Sequence, residues 1–66
     1  MDFDLAIGNA MKEFVGSSIH LYLTVHGNSF EKHCILTDAT RIGLMVRCNH
    51  NLIFYPWHSI DAIEVE

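Results

Sequence analysis

This sequence of 66 residues is short of most of what large functional sites are built from. It holds one proline, four glycines and two cysteines, and only four Lys or Arg residues against eight Asp or Glu. The resulting formal charge of −4 weighs against a broad phosphate-gripping surface, because sequence-independent nucleic-acid binding draws its affinity from basic side chains. Any contact with RNA must therefore be local. Two cysteines fall short of a disulfide framework. Cys34 and Cys48 both lie inside apolar alternations, which reads them as small buried hydrophobes, with a disulfide as the lesser alternative. No apolar run approaches the roughly 18 to 20 residues that a bilayer-crossing helix needs, and the stretch MDFDLAIGNAMKEF carries acids where a signal peptide carries bases. The expected location is cytoplasmic. Also missing are a glycine-rich phosphate loop, a recognisable pair of catalytic carboxylates and a nucleophile motif, so no enzyme is expected.

What the chain does have is apolar surface. Half of its residues are hydrophobic and 18% are charged, yet a chain of this length hides only about 60% of the surface that its unfolded form exposes. Small scaffolds make up the deficit with cross-links, metals or self-association. Self-association is the simplest remedy here. Five histidines (His20, His26, His33, His50 and His58) can add positive charge below about pH 6.5. His20, His26 and His33 alternate outward on one predicted hairpin, where two of them can face each other, but no spacing matches a structural zinc pattern. No metal and no cofactor are expected.

The apolar residues are patterned. Phe3, Ile7, Met11 and Phe14, with Ala10 beside them, make a hydrophobic stripe at helical spacing and predict a helix over residues 2–15. Asp2 or Asp4 suits its start, Lys12 its last turn and Gly16 its stop. Gly8 and Asn9 weaken it by about 1 kcal/mol or more relative to alanine, so it depends on packing. From Ser18 the period changes to two: Ile19, Leu21, Leu23 and Val25 face one side, His20, Tyr22, Thr24 and His26 the other. His26-Gly27-Asn28 predicts a turn with positive φ at Gly27 and Asn28, after which Phe30, Lys32, Cys34 and Leu36 restart the alternation. Thr37-Asp38-Ala39-Thr40 predicts a second turn. Ile42, Leu44, Val46 and Cys48 predict the third strand, Asn49-His50-Asn51 a third turn, and Leu52 to Trp57 the fourth strand, which Pro56 places at an edge or ends. Ile60, Ala62, Ile63 and Val65 predict a fifth strand with a bulge at Ala62-Ile63. Without linker or repeat, residues 1–66 make one domain. The predicted fold is mostly β: an N-terminal α-helix followed by a strongly bent, five-stranded antiparallel small barrel.

A short helix and five strands, with a minimal turn between the fourth and fifth, resemble the Sm-like family of ring-forming RNA-binding proteins (Sm, Lsm and Hfq). The likeness covers nearly the whole chain. It is carried by Ile19-His20-Leu21-Tyr22-Leu23 leading to Gly27, by Phe30, by Ile35-Leu36-Thr37-Asp38, and by Phe54-Tyr55-Pro56-Trp57-His58-Ser59-Ile60 ending in Ile63. The chain departs from the pattern in three places. Lys32 stands where the family has the glycine that bends the second strand. The asparagine after the first-motif aspartate is absent, with Gly43 near its place. Pro56-Trp57-His58 replaces the Arg-Gly pair of Sm and Lsm or the Tyr-Lys-His run of Hfq.

The resemblance implies a small barrel of the SH3 type and a homo-oligomeric ring, of roughly five to seven subunits, in which the fourth strand of one copy pairs with the fifth of the next. Leu52, Phe54, Tyr55, Ile60 and Ile63 are its implied interface residues. It also implies that the turns after the second and fourth strands meet at a central pore and hold short single-stranded, uridine-rich RNA, as in an RNA chaperone or riboregulator. On this chain those turns offer Trp57 to stack a base, His58 and Arg41 to meet phosphate or a base edge, Ser59 to hydrogen-bond, and Asp38 beside them. Other readings stay open: Trp57 at the subunit seam, His58 bonding backbone, Arg41 paired with an acid such as Asp38. The loop after Asp38 lacks the stacking aromatic of Hfq. The alternative is a barrel of the same type serving as a protein-interaction or assembly module for a protein partner, without significant RNA binding.

Overall fold

A computed structural model describes residues 9–66. The strict alternation of Ser18–Val25 folds as β1, with Ile19, Leu21 and Leu23 fully buried on one face. A two-residue turn, His26-Gly27, reverses the chain into β2, Asn28–Ala39. Both turn residues have positive φ, 53° and 79°, the pair of values that a tight hairpin needs to match the twist of its strands. Gly27 is thus where it was predicted. Its left-handed partner is His26 and not Asn28, which already pairs with Val25 as the first residue of β2.

β2 serves two neighbours in turn. Its first part, Asn28 to Ile35, pairs antiparallel with β1, and Ile35 to Ala39 pairs antiparallel with β3, Gly43–Cys48. The predicted turn at residues 37–40 begins later, because Thr37, Asp38 and Ala39 stay in the strand. Between Leu36 and Asp38 the register slips, leaving Thr37 as an extra residue opposite β3. The Thr37 hydroxyl donates to the Met45 carbonyl at 2.8 Å and satisfies the interrupted ladder. A bulge of this kind bends a strand and increases its twist. Lys32, at the place of the family's bending glycine, sits in regular pairing opposite Leu21.

The two-residue turn Asn49-His50 leads from β3 to β4, Asn51–Pro56, which begins and ends one residue earlier than predicted; Asn49 takes the positive φ of 59°. Ile42 was expected to start β3 but lies outside it and is exposed. Gly43 begins the strand instead, and close approach demands it. A β-carbon there would collide with the Tyr55 carbonyl oxygen and come within 2.8 Å of Phe54 and Pro56. β4 ends at Pro56, which has no N–H to continue a ladder, so Trp57 belongs not to the strand but to a single 3-10 turn, Trp57–Ser59. β5, Ile60–Val65, then returns along β1. Its bulge falls at Asp61, between the Tyr22–Ala62 and Leu23–Ile60 pairs, one position before the predicted slip.

The five strands form one antiparallel sheet in the order β4-β3-β2-β1-β5. The sheet is open, with β4 and β5 as its two outer strands. Of the predicted helix, residues 9–11 are α-helical and Lys12–Phe14 form a 3-10 turn. Phe3, Ile7 and the Asp2 or Asp4 cap lie outside the described residues. The helix stops at Gly16 as expected, with φ 95°. Gly16 N–H donates to Leu36 O at 2.7 Å, and Leu36 N–H donates to Ser17 O at 3.0 Å, so the exit of the helix is stitched to β2. Met11 is buried in the core and Phe14 packs against it.

Ile19, Leu21, Leu23, Leu36, Leu44 and Val46 are the fully buried centre, each stabilising the fold by roughly 1.5–3 kcal/mol. The cysteines correct the sequence reading. Both are buried, as expected, but Cys34 and Cys48 are joined in a disulfide and are not separate hydrophobes. Continuing the Ile35–Arg47 pairing by one step sets the two residues opposite each other, and their Cα atoms are 4.8 Å apart, within the span a disulfide bridges. The two-residue turn at Asn49-His50 does not fix this pairing; the bulge at Thr37 does, by shifting β2 one step along β3.

Candidate functional site

The loop between β2 and β3 is organised by one side chain. The Thr40 hydroxyl donates to Gly43 O at 3.0 Å and accepts from the N–H groups of Ile42 and Gly43, each at 3.2 Å. Thr40 N–H adds a bond to Gly43 O at 2.9 Å. A threonine competing with the backbone in this way closes the turn. The loop is then tied to the turn between β4 and β5. Trp57 Nε1–H donates to Thr40 O at 3.0 Å, and Trp57 backbone N–H donates to Ile42 O at 3.2 Å. Two segments 17 residues apart in sequence thus become one surface.

The residues named from sequence are distributed unevenly over this surface. Arg41 and His58 are exposed, one in each of the two joined segments. Trp57 is half-buried, its indole N–H bonded to Thr40 and its ring packed against the core, which leaves only part of its face open. Asp38 is exposed at the end of β2, where its Oδ1 accepts from the Ala39 N–H at 2.8 Å. Ser59 is buried, so it is inside the turn rather than on its surface.

The residues named for subunit contact divide as well. Leu52 and Phe54 are exposed on β4, at 59% and 39%. Ile60 and Ile63 on β5 are half-buried against the core. Tyr55 is a core residue of the single chain and has little left to offer a neighbour.

The outward set of β1 and the facing of two histidines across the hairpin were expected from sequence; that β5 completes this polar face from the other side was not. The hairpin register sets His20 opposite His33, Tyr22 opposite Glu31 and Thr24 opposite Ser29, while β5 sets Glu64 opposite His20. The side chains interlock. The His20 ring stacks on His33 at 4.0 Å between centroids and on Tyr22 at 4.5 Å. His33 Nδ1 lies 2.6 Å from Glu66 Oε1, Tyr22 Oη donates to Glu64 Oε1 at 2.8 Å, and the Thr24 hydroxyl donates to Asp61 at 2.5 Å. The hydrogen bond to Glu64, with burial and the charges of Glu64 and Glu31, raises the Tyr22 phenol above its ordinary pKa. The signal was available: a turn of two residues rather than three, centred on His26-Gly27, fixes all three cross-strand pairs.

Comparison of the chain with protein-family models, curated proteins and solved structures gives no match.

Proposed function

We propose that this chain is the subunit of a homo-oligomeric Sm-like ring that binds short single-stranded RNA near its pore, as an RNA chaperone or riboregulator does. The supporting observation is the strand order, in which β4 and β5 are opposite edges of one open sheet. Each outer strand carries a row of backbone groups facing away from the sheet, and such edges are templates for pairing with another chain. Adding β4 of one copy to β5 of the next uses both edges and covers Leu52 and Phe54. A heterologous contact of this kind closes into a ring when its rotation divides the circle. Arg41 and His58 then recur around the pore beside the open part of Trp57, and repetition turns weak contacts into avidity.

The second reading is a ring or barrel that assembles with protein and leaves RNA alone. It is favoured by the net charge of −4, the commitment of the Trp57 N–H to Thr40 and the burial of Ser59. Light scattering on the eluting protein tests the ring, for which a mass of several subunits is expected and a monomer removes the pore. Fluorescence titration with oligo-uridine and oligo-adenine, at low and moderate salt, tests the RNA site. Binding at protein concentrations of about 10 μM is expected. A ring that binds neither oligomer leaves the assembly reading.

A further inference from the structure

We propose that His20, His33 and Glu66 form a binding site for a divalent transition-metal ion of the zinc class on the outer face of β1, β2 and β5. One ligand atom from each of these residues lies within 4.8 Å of the other two. Backbone pairing positions all three residues: His20 and His33 are direct partners across the β1–β2 ladder, and Glu66 N–H donates to Ser18 O at 3.0 Å, continuing the β5–β1 pairing. Two imidazoles and one carboxylate are a donor set typical of zinc sites with an open fourth position. Glu31 Oε2 lies 3.1 Å from His20 Nε2.

A second observation points the same way. His20 Nε2 is shielded from solvent and makes no hydrogen bond, although Glu31 Oε2 lies 3.1 Å away. A buried polar atom without a partner is a cost to the fold. A metal ion accepting the nitrogen lone pair removes it. Donors around zinc at about 2.0–2.1 Å stand roughly 3.3–3.5 Å apart, so the widest separation must close by somewhat over 1 Å while the 2.6 Å contact between His33 and Glu66 opens. The His33 side chain is 68% exposed and that of Glu66 43% exposed, and both have room to turn. In closing, the 2.6 Å contact between them is exchanged for bonds to the ion. Imidazole donors favour zinc, nickel and copper over calcium and magnesium, which take oxygen ligands.

The test is titration of the untagged, disulfide-intact protein with zinc chloride, followed by calorimetry and by the ring nitrogen signals of the histidines. One zinc per chain is expected, with the His20 and His33 signals moving and proton release on binding. Loss of even an outer-shell partner usually weakens metal sites about 10- to 100-fold, so His33→Ala and Glu66→Gln should each weaken zinc by at least about tenfold. Both positions are exposed, and neither change threatens folding. A variant with His26, His50 and His58 all changed to Asn should bind as before. The proposal is overturned by absence of binding, by affinity unchanged in both His33→Ala and Glu66→Gln, or by binding that disappears in the triple variant.

Discussion

β1 and β4 are strands of similar make-up with opposite fates. β1 has a hydrogen-bonded neighbour on each side, buries Ile19, Leu21 and Leu23 on one face, and interlocks His20, Tyr22 and Thr24 with partners on the other. β4 has a neighbour on one side only, buries Tyr55 and leaves Leu52 and Phe54 in water. The contrast separates two uses of apolar residues. Those of β1 hold the chain together, whereas the exposed pair on β4 contributes little to its fold and is what the proposed ring would cover.

The sharpest way to break this contrast is to truncate both strands. Leu21→Ala, at the fully buried centre, should destabilise the fold by about 2–5 kcal/mol, measured by chemical denaturation. Reduction of the Cys34–Cys48 bond comes next. It closes a loop between residues 14 positions apart, for which chain entropy predicts roughly 3 kcal/mol of stabilisation, and denaturation with and without a reductant measures the difference. Leu52→Lys on β4 should change subunit stability by no more than about 0.5 kcal/mol, as exposed positions do. If the proposed ring forms, its effect should fall on assembly instead, lowering the mass seen by light scattering. A large loss of subunit stability would mean that β4 is as self-sufficient as β1. The smallest effect is on the polar face. Tyr22 should ionise later than an ordinary tyrosine, and Glu64→Gln should lower its titration toward the usual range, read from tyrosinate absorbance. The sign follows from the raised folded-state pKa: the contribution is present below the ordinary tyrosine pKa near 10 and is lost as pH rises through the higher value.

Much of the fold was legible because period-two alternation is set by local geometry. Ile19, Leu21 and Leu23 could have been buried only on one face, and Gly16 and Gly27 marked stops that the chain obeys. The discrepancies arise where long-range register decides. Ile42 looked like the first inward residue of β3, but the turn locked by Thr40 holds it outside and gives the start of the strand to Gly43. The disulfide was hidden for the same reason. Nothing local to Cys34 or Cys48 says that the Thr37 bulge shifts one strand along the other and brings them opposite. Of the candidate site, sequence named the two turns; it did not reveal that Trp57 joins them, since a ring can be assigned to a turn but its hydrogen-bond acceptor cannot.

The slip at Thr37 has a further effect, on what the sheet is unable to become. Sliding β2 past β3 by a single residue would set the inward residues of one strand beside the outward residues of the other, so that either Leu36 or Val46 turned toward water. Sulfur-to-sulfur bonding at one end and a threonine hydroxyl gripping the Met45 carbonyl in the middle leave no alternative alignment with equal satisfaction. In the oxidised chain this central pair of strands is therefore held to a single alignment.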